Sequence, residues 1–157
     1  MTAGTQRQYT GTAGRTENAQ VAVYLAYAAP AGSAFIDRAL YLPRSWTSDP
    51  DRCQAAGIPG GTAFATKPAL AQEMIGRALD AGIPAGWVAA GEVYGQDPRL
   101  RAELARRGRG YVLAVAKSHP VTTPAGTFPA AELAQAAARP GLAADLRRAR
   151  RQGPPLV

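Results

Sequence analysis

A chain of 157 residues suits one domain, and its 46% hydrophobic content includes 35 alanines, so the apolar area available for burial per residue is small. A single cysteine, Cys53, excludes an internal disulfide and fits a reducing cytoplasm; no apolar run nears membrane-spanning length, and residues 1–19 hold no signal-peptide core. The net charge of +7 favours a polyanionic partner such as nucleic acid, but residues 1–100 carry eight basic and eight acidic side chains, so the whole excess comes from residues 101–157.

Residues 1–19 are polar and rich in Gly and Thr, and read as a loop or arm. Residues 20–28 (QVAVYLAYA) alternate and read as a strand. After a turn at Pro30, Ala31 and Gly32, residues 34–42 (AFIDRALYL) form a second strand, and the short link implies an antiparallel hairpin. Unbroken alternation puts Phe35, Asp37, Ala39 and Tyr41 on one face. Asp49 before Pro50 caps a short helix that stops at Gly57; Thr66 caps a longer one that runs to Asp80 and is closed by Gly82. Residues 87–90 (WVAA) are the end of a short strand. Asp97 and Pro98 open another helix, ended by Gly108, and residues 111–116 (YVLAVA) are a strand expected to be covered on both faces. A weak alanine-rich helix follows Pro129 to Ala138, and the charged tail beyond Pro140 is expected to be disordered. The order is hairpin, helices, strand, helix, strand, hence an α/β fold with an antiparallel portion and parallel additions.

The inventory of chemistry is short. One His and one Cys, distant in sequence, argue against zinc. Oxygen ligation of a hard cation requires carboxylates at strand positions, where the sequence offers Asp37 and Glu92. Asp37 reads as the surface partner of a basic residue. Glu92, just beyond the carboxyl end of the strand at 87–90, holds the better position, since sites in open α/β sheets gather there; a solvated loop acid is an equal reading of it. His119 in KSHP reads as a loop histidine, without an acid to orient a Ser118 pairing. GTAG at residues 11–14 is a flexible turn rather than a phosphate loop. Arg7, Arg15, Arg44, Lys67 and Lys117 could contact phosphates, although each taken alone is an ordinary solvated charge.

Four blocks taken together are more specific: QRQYTGTAGRTENAQVAVYLAYA, DRALYLPRSWTSDPDRCQAAGIP, FATKPALAQEMIGRALDAGIPAGWV and EVYGQDPRLRAELARRGRGYVLAV. In order and spacing, over residues 5–137, they resemble the catalytic domain of DDE transposases from bacterial insertion sequences. The resemblance implies an RNase H-like fold acting on DNA, with two Asp and one Glu holding two divalent ions, usually Mg²⁺, that activate the nucleophile and stabilise the leaving oxygen. Relatives of this pattern have Asp-Glu-Val-Tyr-Gly where this chain has Gly-Glu-Val-Tyr-Gly, so Gly91 stands in the place of the second catalytic Asp. Glu92 is next to it but belongs to the opposite face of an extended strand. The family's first Asp lies on a central strand before the QRQY block and its Glu lies later; the sequence has neither, so a gap is expected between the hairpin and the Trp87 strand.

The resemblance therefore predicts a partial RNase H-like α/β domain at residues 20–137, preceded by the 1–19 arm and followed by a basic tail at 138–157. It predicts a cytoplasmic DNA-acting remnant with no ion bound and little cleavage activity by itself; a non-catalytic DNA-binding module that regulates the parent element is the alternative. The tail LAADLRRARRQGPPLV, written in GC-rich codons and shifted by one nucleotide, reads WQRTSAGQGAKGPRWY, which resembles the family's continuation and suggests a frameshift near residues 138–141.

Overall fold

A computed structural model describes residues 2–137, which divide between Leu113 and Ala114 into two compact units. The basic tail and its proposed frameshift lie outside the described residues.

The first unit opens with a feature that the sequence pattern did not predict. Instead of a loop or arm, β1 (Gln6–Thr10) and β2 (Arg15–Ala19) form an antiparallel hairpin, with Gln8 opposite Glu17. Its strands lack apolar alternation because the less exposed positions are filled by Gln8 and Thr10. The Gln8 amide donates to the carbonyls of Gly4 (3.2 Å) and Ala19 (2.6 Å), and the Thr10 hydroxyl accepts from the Ala13 amide at 3.1 Å. Hydrogen bonds of this kind let a polar residue sit under a strand.

β3 (Ala22–Ala29) and β4 (Gly32–Leu40) are the expected antiparallel hairpin. The expected single face of Phe35, Asp37, Ala39 and Tyr41 is corrected by a bulge. Leu25 pairs with Asp37 and Ala26 pairs with Phe35, so Ile36 is the extra residue. Leu25 and Ala26 face opposite ways, and therefore so do Asp37 and Phe35. Phe35 is turned out to 77% exposure and meets Tyr24, ring centroids 5.3 Å apart.

The helices follow their caps. Between β4 and the first capped helix lies a short turn, α1 (Arg44–Thr47). The Asp49 carboxylate accepts from the Arg52 amide (2.9 Å) to start α2 (Pro50–Ala55), and the Thr66 hydroxyl accepts from the Ala69 amide (3.2 Å) to start α3 (Lys67–Asp80). β5 (Trp87–Ala90) leads into a single turn, α4 (Glu92–Gly95), then α5 (Pro98–Arg106), and the chain returns as β6 (Gly110–Leu113), parallel to β5. Parallel pairing requires such a helical crossover.

Ile75 of α3 and Leu100 and Leu104 of α5 form the buried centre, against which Leu25 of β3, Val88 of β5 and Leu113 of β6 pack. This core fixes both small sheets to the same two helices. β6 is not covered on both faces as its apolar run suggested. It ends at Leu113, and Val112 is 66% exposed. A second cluster surrounds fully buried Trp46, whose indole N–H donates to the Thr5 carbonyl at 3.1 Å; the Cys53 thiol donates to the Trp46 carbonyl at 3.2 Å.

The second unit, within its described residues, is a hairpin of β7 (Pro120–Thr123) and β8 (Gly126–Pro129) followed by α6 (Ala130–Ala137). No helix among the described residues is long and apolar enough to cross a membrane.

Candidate functional site at the carboxyl end of β5

β5 points its carboxyl end at Gly91, which has φ −73° and ψ 178° and is the N-cap residue of α4. The Gly91 carbonyl accepts from the amides of Tyr94 (3.0 Å) and Gly95 (3.2 Å), closing the turn. A Cβ built at Gly91 meets nothing within 4 Å, so a side chain would fit there. α4 is held from the far side, where the Arg101 guanidinium donates to the Gly95 carbonyl at 2.6 Å and the Asp97 carboxylate caps α5 through the amides of Arg99 and Leu100. The strand tip is thus a rigid platform without a functional group at its apex.

Glu92 is exposed on the first turn of α4, where its carboxylate accepts from the Gln96 side-chain amide at 3.1 Å. The carboxylates that could join it are engaged elsewhere. Asp37 pairs with Arg77 of α3 at 2.8 Å, the expected surface partnership, and that guanidinium holds its carboxyl below the usual range. Glu17 pairs with Arg15 at 3.0 Å. Among the described residues, no group of three or more His, Cys, Asp or Glu is placed to hold a metal ion. Two-ion chemistry requires several convergent carboxylate oxygens. The residues present at this tip do not fit a divalent-ion pair.

A cleft of about 700 Å³ opens beside the platform, lined by Tyr9, Glu17, Tyr24, Lys67, Val93 and Tyr94. Burial pushes the Tyr94 phenol up from its ordinary value. Of the basic residues singled out in the sequence, only Lys67 reaches this cleft, and its ammonium lies 5.2 Å from the Tyr41 ring centroid. Tyr41 packs edge-on against Phe64, and Arg44 stacks over Phe64 at 4.1 Å. Arg44 and Lys67 are therefore joined through two aromatic rings into one cation–aromatic strip. Arg7 is exposed on β1, and Arg15 is neutralised by Glu17. Lys117 belongs to the second unit, where its carbonyl accepts from the Ala131 amide. Tyr9 gave no sequence signal, because the first hairpin carries no apolar alternation, whereas Tyr24 stands on the strand that alternation predicted.

The sequence model for the DDE superfamily endonuclease matches residues 1–155. This chain belongs to the DDE superfamily endonucleases. No curated protein and no solved structure matches the sequence. Membership assigns the DDE domain to DNA as its general substrate and to a family that typically uses divalent metal. The mixed α/β architecture of small sheets and helices is consistent with such a domain.

Proposed function

We propose that this DDE domain is a transposase-type remnant that engages DNA and does not cut it by itself. The observation that carries this reading is Gly91. The position at the tip of β5 is open and unstrained, so it would accept a carboxylate, yet it bears no side chain. Glu92 does not substitute for it, because it sits one residue on, within α4, and is hydrogen-bonded to Gln96. With the ion site incomplete, activation of a water or a 3′ hydroxyl has no electrostatic support where charge develops.

The arrangement of the first unit is read as a partial RNase H-like sheet. Two features support this. β3 pairs only with β4 and β5 pairs only with β6 among the described residues, and the open edges of β3 and β5 border a common cleft. On this reading the cleft marks the place of a missing central strand.

The test is a DNA cleavage and strand-transfer assay with Mg²⁺ or Mn²⁺. No product is expected. Metal-dependent cleavage that disappears in Glu92→Gln would overturn the proposal.

A second reading, a non-catalytic DNA-binding module, is favoured by the Arg44–Phe64–Tyr41–Lys67 strip. Aromatic rings interleaved with cations suit a flexible polyanion with stacking bases. DNA affinity that falls steeply with salt supports it, and salt-insensitive or absent binding refutes it.

A further inference from the structure

The cation–aromatic strip continues past Lys67. Lys67 shares its cleft with Tyr9 and Tyr24, which are 56% and 58% exposed. Tyr24 in turn meets Phe35, and it stands opposite Arg38 in the β3–β4 ladder. Leu25 packs into the core, so Tyr24 and Ala26 point the other way, and their partners Arg38 and Phe35 share that outer face. Tyr24, Phe35 and Arg38 line one depression. A single track therefore crosses the first unit, from Arg44 and Lys67 over the rings of Tyr9, Tyr24 and Phe35 to Arg38.

The track has cations at both ends and rings in its middle. Among the described residues, no carboxylate is in ion-pair contact with Arg38, Arg44 or Lys67. The two acids beside the track are engaged, Glu17 by Arg15 at 3.0 Å and Asp37 by Arg77 at 2.8 Å. Contiguous exposed rings mark a contact surface, whereas single exposed apolar residues do not. Planar rings flanked by cations match nucleobases flanked by phosphates. A duplex keeps its base faces inside its own stack, so only an unpaired strand offers both groups at once. An apolar peptide segment would use the rings and leave Arg38 and Lys67 without a counter-charge. Tyr24 and Phe35 already touch, tilted by 52°, so a base stacks on an outer face of the pair and not between them.

We propose that this track binds an unpaired strand of DNA, with bases stacked on Tyr24 and Phe35 and phosphates held by Lys67 and Arg38. The proposal rests on the reading of this chain as a DNA-binding module and adds the strandedness of its ligand. The probe is a fluorescein-labelled oligothymidylate of about twelve nucleotides, within the length range of single-strand sites, added to the full chain and followed by fluorescence anisotropy. It should bind at least about tenfold more tightly than a duplex of equal length. Phe35→Ala and Tyr24→Ala each remove a stacking plane at an exposed position. Each should weaken oligothymidylate binding at least about fivefold and leave duplex binding unchanged. Phe35→Trp, which keeps a ring, should retain the affinity, and an abasic strand of the same length should bind no better than the duplex. Arg38→Gln should lower the salt slope for the oligothymidylate by about 0.7. Equal affinity for single strand and duplex, or ring variants that bind as the unmodified chain does, would overturn the proposal. If salt-dependent duplex binding persists in that case, the DNA-binding reading stands without it, whereas no binding of either form would sink both. A dimer in sedimentation that the ring variants dissociate, with oligothymidylate affinity intact, would assign the rings to a second copy of this chain and refute the proposal.

Discussion

Replacing Gly91 by Asp adds the one group that the tip of β5 lacks. The built Cβ meets no atom within 4 Å, and φ −73°, ψ 178° is backbone that any L-residue adopts, so there is no steric penalty. Asp in place of Gly at an N-cap gains about a few tenths of a kcal/mol, as its carboxylate accepts from first-turn amides. The neighbouring Glu92 charge opposes this by up to about 1 kcal/mol in water at close range. The two nearly cancel, leaving a net change on the order of 0.5 kcal/mol and a shift in thermal midpoint within about 4 °C for a folding unit of about 100 residues. Differential scanning fluorimetry measures that shift, and calorimetric titration with Mn²⁺ measures what the new carboxylate does. Gly91→Asp should by itself gain at most weak Mn²⁺ binding, because ion coordination needs several convergent carboxylates and the described residues gather no such group. A fall of more than about 8 °C would show that the site is not open. Tight Mn²⁺ binding by the unmodified chain would show that its carboxylates are not too few to hold an ion.

Other expectations concern the frame and the charges. Leu104→Ala, at a residue with no exposure, should destabilise the first unit by about 3 to 5 kcal/mol, and urea unfolding should show either that loss or no cooperative transition. Hydrogen bonds from Arg106 and then Arg107 hold the Glu103 carboxyl at about 2, below its ordinary 4.5. A lowered pKa stabilises the fold above the unfolded value, so this contribution should be complete above about pH 5 and be lost as pH falls from about 4.5 to about 2. Thermal melts of Glu103→Gln should have lost this part of the acid dependence, and an unchanged profile would mean that the pairing with Arg107 at 2.6 Å does not persist in solution. If the module binds DNA, replacing Arg44 and Lys67 by Gln should each lower the slope of log affinity against log salt by about 0.9, and an unchanged slope would place the phosphates elsewhere.

The amino-acid sequence by itself determined the helices and their ends. Asp49, Thr66 and Asp97 each stand before a proline-marked first turn, and each caps the helix it announced, because capping is a bond between residues two or three apart. It also determined the absence at the strand tip, since Gly91 has no side chain in any fold. The RTENA strand of the first hairpin could not be read in the same way, as its pattern is polar and its partner lies across a turn. Nor could the bulge at Ile36 be read, because a one-residue offset is set by pairing with β3 and by packing against α3, and it reversed the face of Phe35. Only the tertiary structure decided that Asp37 is consumed by Arg77, forty residues away, and that Arg44 and Lys67 share one aromatic strip. It alone showed that β3 and β5 hold their open edges to a common cleft. Local bonding is encoded in adjacent residues, whereas these features depend on which distant surfaces the Ile75–Leu100–Leu104 core draws together.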